Sequence, residues 1–240
     1  MPARRIHRLA ALFALTHATS ALAYRPFDAT DADIAEPGEQ EFEVGAAYVD
    51  ESLSETWAAP AFVANYGIVR NRELVLEGTL LRRADSEADA RWALGDTALS
   101  LKQILRRGAL QDAEGASIAA ECGVLLPTIH DEHGAGGTCA LIASQRWPAA
   151  TLHLNGGLTR SRDHRWEQSA SAILEGPERW SVRPVSELSV EWTDESSVRA
   201  GLLGIIWSAR EQISFDAAVR YEETDVQHSW EVRAGFTLSR

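Results

Sequence analysis

Two short stretches hold side chains that could do chemistry together. His130-Asp131-Glu132-His133 puts two imidazoles and two carboxylates within four residues, a donor set suited to a hard or borderline divalent ion. Histidines three apart converge best on a helix, yet this stretch runs straight into Gly134-Ala135-Gly136-Gly137. A solvated charged loop is therefore the expectation, with no metal assigned. The second stretch is His228-Ser229, which with Glu231 or Asp225 supplies the residue types of a serine hydrolase. Neighbouring residues on a strand point to opposite faces, so this histidine and serine cannot share the nucleophile–base hydrogen bond. The sequence also lacks a Gly-x-Ser-x-Gly elbow. No catalytic residue and no cofactor are expected, and the chain reads as a non-enzyme.

A larger set of charges is more regular. Glu43, Glu73, Glu77, Lys102, Glu121, Glu187, Glu191, Asp216, Arg220, Glu231 and Arg233 all fall on the polar parity of segments whose other parity is apolar. If those segments close into a barrel, these eleven side chains line its interior. Arg220 and Arg233, on neighbouring segments with Asp216 and Glu231, are expected to form an ion-pair ladder, because unpaired charges in a narrow lumen are costly. The functional version of the same feature is a selectivity ring.

The elements that would position these residues are strands. In the last stretch, Trp230, Val232, Ala234, Phe236 and Leu238 alternate with Glu231, Arg233, Gly235, Thr237 and Ser239. That is the period of a ribbon with one apolar and one polar face. Similar segments are predicted over 40–49, 56–66, 72–81, 94–105, 116–126, 138–147, 151–158, 168–174, 180–192, 197–207 and 213–221, with 229–240 the twelfth. Pro60 weakens the second, since proline cannot donate to a ladder. An even number of strands of roughly ten residues matches a tilted transmembrane barrel. The links alternate between longer ones (127–137, 159–167, 222–228) and compact turns (147–150, 176–179, 209–211), as such a barrel requires. Links 193–196 and 106–115 break the trend, being short and long respectively where the reverse is expected. Tyr48, Trp180, Trp192, Tyr221 and Trp230 sit near strand ends on the apolar parity, as in an interfacial aromatic girdle.

Residues 1–23 have the pattern of a secretory signal peptide. Arg4, Arg5 and Arg8 precede an apolar stretch from Leu9 to Leu15, and Ala21-Leu22-Ala23 is a small-x-small cleavage pattern. Residues 24–39 are acidic and aperiodic, and the barrel domain is predicted over 40–240. A twelve-strand interior is wider than the side-chain-filled eight-strand case; the acidic segment is expected to enter and partly plug it. The formal net charge of −12 excludes nucleic acid as a natural partner. No apolar run reaches the roughly 18–20 residues of a membrane helix. Export places Cys122 and Cys139, on either side of one loop, in an oxidising compartment. A cross-hairpin disulfide and two small buried thiols both fit.

Several short motifs resemble the MetA-pathway of phenol degradation family, transporter-like outer-membrane barrels of Gram-negative bacteria. They are Arg25-Pro26-Phe27 before the acidic stretch and Pro37-Gly38, Leu94-Gly95-Asp96 followed by Leu99-Ser100-Leu101-Lys102, Leu141-Ile142-Ala143-Ser144, Leu152-His153-Leu154-Asn155-Gly156, and the run from Ser214 to Arg220. The resemblance implies an all-β antiparallel barrel in the cell outer membrane, in contact with its lipid and with the barrel assembly machinery during biogenesis. It also implies passage of small molecules, aromatic or otherwise hydrophobic ones among them. Two alternatives stay open on the residues: a closed structural or lipid-hydrolase-like outer-membrane barrel, and a soluble periplasmic barrel that binds a ligand.

Overall fold

The computed structural model describes residues 25–51, 54–84, 91–129, 133–194 and 196–240. The expected signal peptide at 1–23, and residues 130–132 of the histidine-bearing loop, lie outside them. Twelve strands run in chain order: β1 (Gln40–Glu51), β2 (Ser54–Val69), β3 (Arg72–Ala84), β4 (Arg91–Arg106), β5 (Ser117–Leu125), β6 (Gly136–Trp147), β7 (Ala150–Arg160), β8 (Trp166–Glu175), β9 (Val182–Trp192), β10 (Ser197–Arg210), β11 (Ile213–Thr224) and β12 (His228–Ser239). Each pairs antiparallel with its sequence neighbours, and β12 returns to β1 to close the barrel. The seam is continuous from Glu41↔Ser239 to Glu51↔Ser229. Among the described residues no strand edge is left open, so the ladders are satisfied within the wall.

Local chemistry accounts for the irregularities. Pro60 lies where the pairing of β2 shifts against β1 and β3 alike, between Ala58 and Ala61. A bulge accommodates the missing donor, so the strand continues through it. The long link after β4 contains a short 3-10 turn, Ala109–Gln111, whose Leu110 is buried against Ala32, Ala119 and Ile142. That link also reaches the segment before β1, where Gln111 meets Ala32 and Asp33.

Burial is inverted relative to a water-soluble sheet. Charged side chains are hidden, Glu43 at 1% exposure and Glu121 at 2%, while Leu203 and Leu188 are 72% and 70% exposed. All eight tryptophans are on the outer surface. Trp57, Trp92, Trp166, Trp192 and Trp230 cluster at the longer-loop end, and Trp147, Trp180 and Trp207 at the other. Two aromatic belts around an apolar band are what a barrel presents to a bilayer, and a soluble sandwich would bury them. Cys122 and Cys139 face outward directly opposite each other in β5 and β6 and form a disulfide. The buried-thiol reading is thereby replaced: both residues are on the apolar parity, which is the outer face.

Candidate functional site within the barrel

The charged residues predicted for the interior lie on the parity opposite the exposed apolar side chains. Glu43, Glu73, Glu77, Lys102, Glu121, Glu187 and Asp216 are buried; Glu191, Arg220, Glu231 and Arg233 are half-buried. What organises them is the stretch before β1. Residues 25–36 run against inward side chains from strands on every side of the wall.

Arg25 begins this path. Its guanidinium pairs with Asp216 at 3.1 Å, and its backbone N–H donates to Glu43 Oε2 at 2.8 Å. The guanidinium rests on Gly45 and Gly235, which face each other across the β1–β12 seam, and a Cβ at either position would overlap it. Asp216 is the register partner of Gly235 on the next strand. Two bare glycines and one carboxylate therefore make a fitted seat.

Phe27 is 1% exposed and packs on Ile173, Val185, Leu202, Ile206 and Ala218, which are inward-facing apolar residues of β8 to β11. Asp28 follows. Its Oδ2 accepts from Arg220 Nε at 2.6 Å and its Oδ1 from Arg233 Nη1 at 2.9 Å. Glu187 accepts the backbone N–H groups of Asp28 and Ala29 at 2.7 and 3.1 Å. Burial would raise the Asp28 pKa, but the guanidiniums of Arg220 and Arg233 outweigh it and hold the carboxyl well below the ordinary range.

Lys102 donates to Thr30 Oγ1 at 3.1 Å and pairs with Asp31 at 3.4 Å. Burial would raise the Asp31 pKa, but the Lys102 ammonium and the hydrogen bonds it receives lower it on balance. Asp33 moves the other way, raised by burial and by the adjacent Asp31 charge. Gln111, from the 3-10 turn, donates to Ala32 O at 2.8 Å and to Asp33 Oδ1 at 3.0 Å. Ala35 N–H donates to Glu73 Oε2 at 2.5 Å. At the exit, Gly38 N–H donates to Gly67 O at 2.8 Å.

The ion pairs differ from the expected ladder. Arg233 does pair with Glu231, at 2.7 Å. Asp216 is taken by Arg25, and Arg220 is shared between Asp28 and Glu222 at 2.6 and 2.7 Å. Wall charges thus pair both with one another and with the preceding segment, and strand periodicity could not reveal the second kind.

Sequence reasoning also missed a buried polar row. Ser144 Oγ lies 2.8 Å from His153 Nδ1, and His153 Nε2 lies 3.0 Å from Glu175 Oε1. Glu175 Oε2 in turn accepts from Arg183 Nε at 2.7 Å. The order resembles a serine–histidine–acid triad. Ser144 Oγ, however, accepts the Ala32 N–H at 2.9 Å and the residue is 1% exposed. In this arrangement the row holds the segment and offers no open nucleophile. Ser144 and His153 face each other across β6 and β7, a pairing that no local motif announces. His228 and Ser229 sit on opposite faces, His228 exposed and Ser229 buried. His133 is exposed.

The architecture is that of an outer-membrane β-barrel. Among solved structures, the chain is similar to an outer membrane channel from Pseudomonas putida F1, with a TM-score of 0.68 at 7% identity, covering 89% of this chain and 100% of that one. It is also similar to the β-domain of the Bordetella autotransporter BrkA (TM-score 0.55, 10% identity, 85% and 99% coverage) and to the KdgM porin (0.53, 7%, 82% and 98%). No protein-family profile and no curated protein matches the chain.

Proposed function

We propose that this protein is an outer-membrane channel for small molecules, with residues 25–39 serving as a plug that must shift for solutes to pass. The carrying observation is the contrast between an apolar outer surface and a charged inner wall, several of whose charges pair with the chain's own N-terminal stretch. A wall built only to fill space would be apolar, since buried ion pairs add little net stability over packed hydrocarbon. The likeness to an outer-membrane channel and a porin supports the same reading, as do the motifs resembling MetA-pathway transporter-like barrels. From that resemblance alone comes the narrower proposal that the solutes are small hydrophobic or aromatic molecules. Bilayer lipid and the barrel assembly machinery are the partners this reading requires.

A closed structural barrel is the second reading, favoured by the number of contacts that hold the segment. Conductance separates the two. Deleting residues 25–39 from the channel should raise single-channel conductance in planar bilayers severalfold over the full chain. A folded deletion protein that stays silent would support the closed barrel.

A further inference from the structure

The inner wall carries a carboxylate-binding site, and Asp28 occupies it. Arg233 is fixed from behind by Glu231, which accepts from its Nε and Nη2 at 2.7 and 2.8 Å. That leaves Nη1 directed at Asp28 Oδ1, with Pro26 O as its other acceptor at 2.9 Å. Arg220 is fixed by Glu222 through Nη2, leaving Nε directed at Asp28 Oδ2. Each wall glutamate thus spends its charge on orienting a guanidinium, and Arg220 Nε and Arg233 Nη1 converge on the two oxygens of one carboxylate. Geometry of this kind is preorganised for a planar anion and pays little ordering cost on binding.

We infer that Arg220 and Arg233 form a binding site for the carboxylate of a permeating small organic acid, which takes the place of Asp28 when the segment shifts. The inference rests on the channel reading and sets small organic acids in place of the hydrophobic solutes that the resemblance alone suggests. Asp28 is then a tethered competitor: its high local concentration keeps the site filled, and a free carboxylate must displace it.

Two measurements on the full chain test this. The first is calorimetric titration of acetate into detergent-folded protein at neutral pH. Asp28→Ala should bind acetate at least tenfold more tightly than wild type, and adding Arg233→Gln should abolish the gain. Equal acetate affinity in wild type and Asp28→Ala overturns the inference. The second compares efflux of radiolabelled gluconate with that of sorbitol, its uncharged analogue of similar size, from proteoliposomes. Gluconate should leave severalfold faster, and Arg220→Gln or Arg233→Gln should remove that preference. Heat-modifiable gel migration verifies folding of each variant. If the glutamine variants fail to fold, Arg220→Lys and Arg233→Lys keep the charge, lose the directed donor and should still weaken the preference. Equal rates, or a preference that survives these substitutions, overturn the carboxylate site and leave the channel standing. Efflux of neither solute overturns the channel reading and this inference with it.

Discussion

Asp28 is the residue on which the inner contacts depend most. Its carboxyl has a depressed pKa in the folded protein, so its contribution to stability is fully present above the unfolded value near 3.8 and is lost only as pH falls through the lower folded value. The thermal midpoint of Asp28→Asn should therefore lie below that of wild type at pH 5, and the gap should close as the pH falls below 4. At neutral pH the loss should be about 1.5–3 kcal/mol, the range for hydrogen bonds to charged groups. A gap that does not narrow below pH 4 would place the effect on another group. The seat of Arg25 makes a separate prediction at the same scale. Gly45→Ala or Gly235→Ala inserts a methyl where the guanidinium lies, and should cost about 1–3 kcal/mol by overpacking. Against an Arg25→Ala background the penalty should shrink, since the overlapping group is gone; equal penalties in both backgrounds would refute the seat.

At the scale of elements, Phe27 anchors the segment through apolar contacts and the aspartates align it. Phe27→Ala removes a fully buried ring, a change that typically costs about 3–5 kcal/mol. Because the pocket lies on the inner wall, that cost should fall on the segment and leave the barrel closed. Protease cleavage within residues 25–39 should accelerate at least tenfold while heat-modifiable migration stays unchanged. Loss of heat-modifiability would show that Phe27 supports the wall itself. The sequence made the strands legible because a wall with lipid on one side and charge on the other must alternate. It even hinted at the pocket, since Leu202 and Ile206 of β10 are apolar and buried on the inward parity. That signal became readable only once an apolar side chain from outside the strands was seen to fill it. Likewise Gly45 and Gly235 look like ordinary small residues until Arg25 lies on them. Ser144, His153 and Glu175 come from three consecutive strands and meet through register alone. Periodicity fixes which face a residue occupies, and the partner it finds there depends on where the N-terminal stretch runs.

The whole molecule is governed by one inversion: charge inside, hydrocarbon outside, with aromatic rings at both rims. In water such an arrangement would leave large contiguous apolar surface exposed, which monomeric soluble proteins avoid. A bilayer removes that penalty and gives the rims a purpose, because tryptophan combines an apolar body with an N–H donor and settles at the headgroup boundary. Every one of the eight tryptophans is on this outer surface, so intrinsic fluorescence reports on the lipid contact with no interior background. In vesicles of phospholipid brominated near the carbonyl end of the acyl chains, the emission should be strongly quenched. Bromine near the terminal methyls should quench less, because Trp57, Trp92, Trp166, Trp192 and Trp230 lie at one strand-end belt and Trp147, Trp180 and Trp207 at the other. A soluble periplasmic barrel predicts no quenching by either lipid. A barrel inserted with its belts displaced from the interfaces predicts equal or reversed quenching. Only a shallow-over-deep order fits a wall whose two aromatic rims bracket the hydrocarbon core.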